Sequence, residues 1–158
     1  MSYTRIVVHA VFSTKDREPM LSKEIKTVVC EHIREQCQLK SIWLLDINGH
    51  FDHLHCLVGL GPKQCIADVM QAIKGESAYW FNNKSGLADT GRLMWQDDYF
   101  AVSVSESHLD RVQAYIQNQE QHHKSMTYYQ EVERMAEKYG FDSGLLASNL
   151  SAKADGKD

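Results

Sequence analysis

The chain has 158 residues, of which 43% are hydrophobic and 24% charged, the composition of a folded soluble protein with enough core to need no staples. A formal charge of -4 and a pI near 6.0 exclude an overall basic footprint for nucleic acid, so any phosphate contact must be local. No apolar run approaches the roughly 20 residues that span a bilayer, and "MSYTRIVVHAVFSTKD" lacks a basic leader and a cleavage site, so a cytoplasmic location is expected.

Residues 5–13, "RIVVHAVFS", are dense in β-branched and aromatic types and short enough for a strand, with His9 a satisfied sheet residue. Over 22–39, Ile25, Val28, Val29, Ile33 and Cys37 share one stripe of an amphipathic helix that Ser22 can cap. "SIWLLDING", 41–49, and "HLHCLVGL", 53–60, read as two strands of a hairpin. After Gly61-Pro62, residues 65–81 carry Ile66, Val69, Met70, Ile73, Ser77 and Phe81 at helical spacing, and a polar loop leads to "RLMWQDDYFAVSVS", one broken or two short strands. The order β-α-β-β-α-β predicts an α+β fold, a ferredoxin-like antiparallel sheet with two helices on one face.

Two C-terminal helices are expected next. Residues 107–125 place Leu109, Val112 and Ile116 on one stripe, with Ser107 and Asp110 related as in a capping box; residues 127–140 repeat that relation with Thr127 and Gln130 and stop at Gly140. Residues 1–142 read as one domain, and the small polar tail, 143–158, as disordered. Cys30, Cys37, Cys56 and Cys65 show no C-x-x-C pairing and fall in apolar patterns, which predicts buried reduced thiols.

The chemistry concentrates in "GHFDHLHCLVGL", residues 49–60. On a strand, residues two apart share a face, so His53 and His55 project together while Leu54, Cys56 and Val58 point the other way. Two neighbouring imidazoles are half of a divalent-metal site, or else a hydrogen-bonded pair. In "AYIQNQ", 114–119, Tyr115 and Gln119 are four apart on the expected helix and share a face. They are a nucleophile and a neutral oxygen ligand, or else a packing tyrosine and a solvated glutamine. His50 reads as a turn residue or a second support of the histidine pair, and His122 and His123 as a helix end or a border of the site. Trp80, Trp95 and Tyr79 read as core aromatics or as platforms for unpaired bases.

"HLH" in a strand after "INGH", a helix with "IKGES", "YIQNQ" about sixty residues on, and the opening "HAVFSTKDREPML" together resemble the single-tyrosine HUH transposases of small bacterial insertion sequences, REP-associated tyrosine transposases included. The resemblance covers roughly residues 3–125. It implies that His53 and His55 are the HUH pair, with Leu54 between them, and that Gln119 is the third protein ligand of Mg²⁺ or Mn²⁺. Tyr115 would be the nucleophile that cuts single-stranded DNA near subterminal hairpins, leaving a 5′-phosphotyrosine and a free 3′-OH. A homodimer is implied, in which the tyrosine helix of one subunit can complete the site of the other.

Two features depart from that family. The segment before the tyrosine helix is "VSVSES", and no glycine occurs between Gly91 and Gly140, where the family often has a hinge glycine. Residues 97–142 hold nine acids against four Lys or Arg, so phosphate contact falls to Lys15, Arg17 and Lys74. Three alternatives stay open: a domesticated relative acting on repeated palindromic hairpins, a non-catalytic ferredoxin-like nucleic-acid-binding module, and a metal hydrolase that uses bound water and has no need of Tyr115.

Overall fold

The structure is a computed structural model that describes residues 2–124 and 126–139. Gly140, the end at residue 142 and the 143–158 tail lie outside the described residues. The chain divides into two compact units, Met1–Gln119 and Glu120–Asp158. Among the described residues no helix is long and apolar enough to cross a membrane.

In the first unit the elements run β1 (Ile6–Ser13), α1 (Lys23–Leu39), β2 (Trp43–Gly49), β3 (His53–Leu60), α2 (Ile66–Asn83), β4 (Phe100–Ser103) and α3 (Leu109–Gln117). The four strands form one antiparallel sheet in the order β2-β3-β1-β4, the ferredoxin-like arrangement the sequence predicts. Before β4 the chain touches the sheet once more, through a bridge between Thr14 and Trp95, so "RLMWQDDYFAVSVS" is indeed two short pieces.

Strand alternation builds two different faces. Ala10, Phe12, Leu54, Cys56 and Val58 point to one side and close a core with Val29, Ile33 and Cys37 of α1 and Val69, Met70, Ile73 and Phe81 of α2. Burying side chains such as Phe12 and Phe81 completely contributes about 1.5–3 kcal/mol each. Ser22 caps α1 as expected, its hydroxyl accepting from the Ile25 amide at 3.3 Å. On the opposite face Val7 and Leu57 form a second, smaller cluster with Ile116 of α3, edged by Leu45, Leu109, Val112 and Tyr115. The tyrosine-bearing helix therefore lies across the sheet from α1 and α2.

Three expectations are corrected. The helix foreseen over 107–125 is not continuous: Glu106–His108 is a 3-10 turn, α3 begins at Leu109, and the helix stops at Asn118 before a four-residue helix, α4 (Gln119–His122). Asn118 sits at φ -97° and ψ 25°, a turn conformation suited to a side chain that competes poorly for helix. Ser107 does not cap the helix; its hydroxyl and that of Ser105 meet His108 Nδ1 instead, at 3.1 and 2.8 Å. Cys65 is exposed at the head of α2, whereas Cys30, Cys37 and Cys56 are buried thiols, and burial pushes Cys30 and Cys37 up to about 11. In the second unit α5 (Tyr128–Tyr139) does carry its capping box, with the Thr127 amide on Gln130 Oε1 at 3.0 Å and the Gln130 amide on Thr127 Oγ1 at 3.3 Å.

Candidate functional site

The register of β1, β3 and β2 determines what surrounds the two histidines. His53 stands opposite Ser13 and His55 opposite Val11, on the same face as His9 and Leu57. Both histidines are fully buried, with ring centroids 5.2 Å apart. Each has its Nδ1 engaged by the protein. Asp52, the residue before β3, accepts from His53 Nδ1 at 2.7 Å, and His9 Nε2 lies 2.8 Å from His55 Nδ1. A neutral imidazole has one proton, so the Asp52 carboxylate, which only accepts, sets the His53 proton on Nδ1 and its lone pair on Nε2, whereas the direction of the His9–His55 bond follows the tautomers of the two rings.

Helix α3 brings the phenol. Ile116 anchors it against Val7 and Leu57, and Asn48 of β2 donates its amide to the carbonyls of Ile116 and Gln117 at 2.9 and 3.2 Å. These bonds satisfy carbonyls that a helix end otherwise leaves open. Gln117 adds a bond to Asp46 Oδ2 at 3.1 Å. The Tyr115 ring consequently stands edge-on to His55 with centroids 5.6 Å apart and edge-on to His9 at 6.3 Å. Gln119 is fully buried, and although the helix breaks at Asn118 its amide reaches back to the Tyr115 carbonyl at 3.2 Å. Two imidazoles and a phenol thus meet on one face of the sheet, with Gln119 buried one turn beyond Tyr115; these donor types suit a divalent ion beside a nucleophile.

The basic residues separate. Lys15 and Arg17 lie on the turn that follows β1, where Asp16 and Arg17 adopt positive φ, 56° and 53°. That turn is tied to the histidine hairpin: the Thr14 amide donates to the Asp52 carbonyl at 2.8 Å, and the Thr14 hydroxyl reaches Glu18 O at 2.7 Å. Lys74 is on α2, in the layer on the other side of the sheet. Its ammonium donates to the Asp97 carbonyl at 2.7 Å over the Tyr99 ring, and burial lowers its pKa despite Asp97 and Asp98.

Among the aromatics, Trp95 is buried against Phe12 and donates to Ser77 Oγ at 3.0 Å, Trp80 stacks on His32 at 3.9 Å, and Tyr79 is exposed. His50 closes the turn through its backbone, its amide donating to the His53 carbonyl at 3.0 Å. In the second unit His123 meets Glu131 at 2.8 Å and the Met126 carbonyl at 2.6 Å, and His122 lies 4.0 Å from the same carboxylate. Sequence reasoning misses Asp52, Asn48 and the partnership of His9 with His55. Only the shared strand parity of His9 and the histidine pair, two antiparallel strands apart in sequence, hints at the last.

Comparison with known proteins follows the same boundaries. The family model described as "Transposase IS200 like" matches residues 2–119. The transposase for insertion sequence element IS200 of Salmonella typhimurium is 26% identical over 114 residues, covering 70% of this chain and 74% of that protein. The ISDra2 transposase TnpA of Deinococcus radiodurans is 27% identical over 114 residues, covering 70% of this chain and 81% of its own length. A crystal structure from Deinococcus radiodurans R1, assigned as a transposase, superposes with a TM-score of 0.58 at 27% identity over 75% of this chain and 93% of that one. A REP-associated tyrosine transposase bound to a REP hairpin shares the fold, with a TM-score of 0.53 at 13% identity over 90% of this chain and 74% of that chain.

Proposed function

Because the chain belongs to the IS200-like family of transposases, DNA-cleaving enzymes, we propose that it cuts single-stranded DNA with Tyr115 as nucleophile and His53, His55 and Gln119 as ligands of a divalent cation. The observation that carries the reading is the placement of the Tyr115 ring 5.6 Å from that of His55 on one buried sheet face. The donor set fits the ion. His53 turns Nδ1 to the Asp52 carboxylate and so presents Nε2, His55 does the same when His9 accepts from its Nδ1, and Gln119 would add a neutral amide oxygen from a fully buried position. Bound there, Mg²⁺ or Mn²⁺ would neutralise charge on a phosphate oxygen and polarise the bond to be broken.

The chain's own residues do the rest. Tyr115 is aimed by α3, whose end is pinned by Asn48, so the phenol needs little reorganisation to reach a phosphate laid over the histidines. Its oxygen bonds to phosphorus, the P–O3′ bond breaks, the phenol proton is lost, and the departing 3′ oxygen is protonated to the free 3′-OH. The 5′-phosphotyrosine then stores the bond until a 3′-OH displaces Tyr115 in strand transfer. Lys15 and Arg17, held beside the histidine hairpin through Thr14 and Asp52, are proposed to take the DNA backbone, and Lys74 a second, separate phosphate. The substrate we propose is a strand with subterminal hairpins, a reading supported by the fold relative solved on a REP hairpin. We take residues 1–142 as the functional domain and a homodimer as the working form.

The test is an oligonucleotide labelled downstream of the cut, incubated with Mn²⁺ or Mg²⁺ and run on a denaturing protein gel. The wild type should carry label on the protein band, and Tyr115→Phe, which keeps the ring and its packing, should bind hairpin DNA and form no adduct. Cutting without an adduct, or cutting that persists in the Phe variant, would mean that water is the nucleophile.

A further inference from the structure

We propose that His9 is a positioning residue, which fixes His55 in the tautomer that offers Nε2 to the cation and walls that ligand against Tyr115. The inference rests on the metal reading above. For His55 to present a lone pair at Nε2, its single proton must sit on Nδ1, and a buried Nδ1–H requires an acceptor. His9 Nε2 is that acceptor at 2.8 Å, from a buried ring stacked on His55 with centroids 5.1 Å apart and planes 26° from parallel. His9 must then carry its own proton on Nδ1. The opposite choice of tautomers would put the His55 proton on Nε2 and close that nitrogen to an ion.

The two histidines of the pair are thus held unequally. Asp52 has a carboxylate that can only accept, so it leaves His53 a single tautomer, whereas His9 can donate or accept and shares the choice with His55. His9 also has a second contact that Asp52 lacks. Its ring stands 6.3 Å from that of Tyr115, edge-on at 71°, so one side chain borders both the ligand and the nucleophile. The register explains how it gets there: His9 is opposite Leu57 and Val11 is opposite His55, which makes His9 the diagonal neighbour of His55 on the shared face.

The experiment compares His9→Phe, which keeps ring and volume but cannot accept a hydrogen bond, with His9→Gln, whose amide oxygen has the reach of Nε2. Mn²⁺ binding is followed by the electron paramagnetic resonance of the free ion, alongside DNA cleavage at low and high Mn²⁺ and thermal melts. The Phe variant should lose about 10- to 100-fold in Mn²⁺ affinity, recover cleavage at excess Mn²⁺ and bind hairpin DNA as the wild type does; the Gln variant should lose about threefold or less. A packing role reverses the order, since Phe retains the stack and Gln does not. Phe binding Mn²⁺ as tightly as the wild type, or Gln proving the weaker of the two, overturns the assignment and leaves the metal reading standing. A wild type that takes up no Mn²⁺ defeats both. Should the Phe variant not fold, His9→Asn, too short to reach His55, must bind Mn²⁺ more weakly than His9→Gln, and equal affinities overturn the proposal.

Discussion

At the scale of single residues, the site depends on side chains whose task is to hold others. Asp52 accepts from His53 Nδ1 at 2.7 Å, and its backbone carbonyl takes the Thr14 amide, so it joins the histidine pair to the Lys15–Arg17 turn. Asp52→Ala should therefore weaken Mn²⁺ binding about 10- to 100-fold, in the range of support residues of metal ligands. Asp52→Asn, which keeps an accepting oxygen, should lose much less; the same resonance titration of free Mn²⁺ reads both, and equal losses would show that the carboxylate's charge, not its hydrogen bond, matters. The sequence displays His53, His55, Tyr115 and Gln119 because spacings of 2 on a strand and 4 on an expected helix group them, and the family resemblance then gives them roles. Asp52, His9 and Asn48 stay hidden, because each acts across a turn or between strands and has a meaning only once the register is known.

Among the elements, the hairpin of β2 and β3 is the tightest constraint. A Cβ on Gly49 would fall 2.0 Å from the His53 carbonyl oxygen and 2.8 Å from the Leu54 Cα, both backbone, so nothing flexible can give way. Gly49→Ala should destabilise the first unit by about 1–3 kcal/mol, as overpacking does, and should depress cleavage even in the folded fraction, since the displaced strand carries His53. Urea melts and cleavage assays check the two effects, and a variant within about 0.5 kcal/mol of the wild type would mean that the hairpin opens at no cost. Periodicity makes α1 and α2 legible through Val29, Ile33, Val69, Met70 and Ile73, all of which reach the core. It fails at α3, where the apolar stripe stops at Ile116 and only polar residues continue. A run such as "QNQEQHH" has no core-facing pattern to say whether the helix goes on. The break at Asn118 is set by local turn preference and by Asn48 taking the last carbonyls, neither of which leaves a period in the sequence.

For the molecule as a whole, the order of strands and helices is readable because each hydrophobic pattern has one period and the ferredoxin-like connection is the simplest that satisfies them. Whether one subunit or two builds a site is not readable in that way. Family resemblance suggests exchange of the tyrosine helix, but this chain reaches α3 from β4 in five residues without a glycine, and Tyr115 stands beside the His55 of its own chain. Ile116 is completely buried in the cluster of Val7 and Leu57, and removing α3 from that face would expose it at a cost of about 1.5–3 kcal/mol. We therefore expect the site to work within one subunit even in a dimer. Mixing two inactive variants, Tyr115→Phe and His55→Ala, distinguishes the arrangements. If the helix crosses between subunits, a mixed dimer joins the intact histidines of one chain to the intact tyrosine of the other, and up to half the sites in that dimer regain cleavage. If each chain uses its own tyrosine, every site in the mixture retains one defect and no labelled protein band forms. The second result is expected. The adduct gel run on variants refolded together, so that subunits exchange, measures it, and a recovered band would show that the tyrosine acts on the partner's histidines.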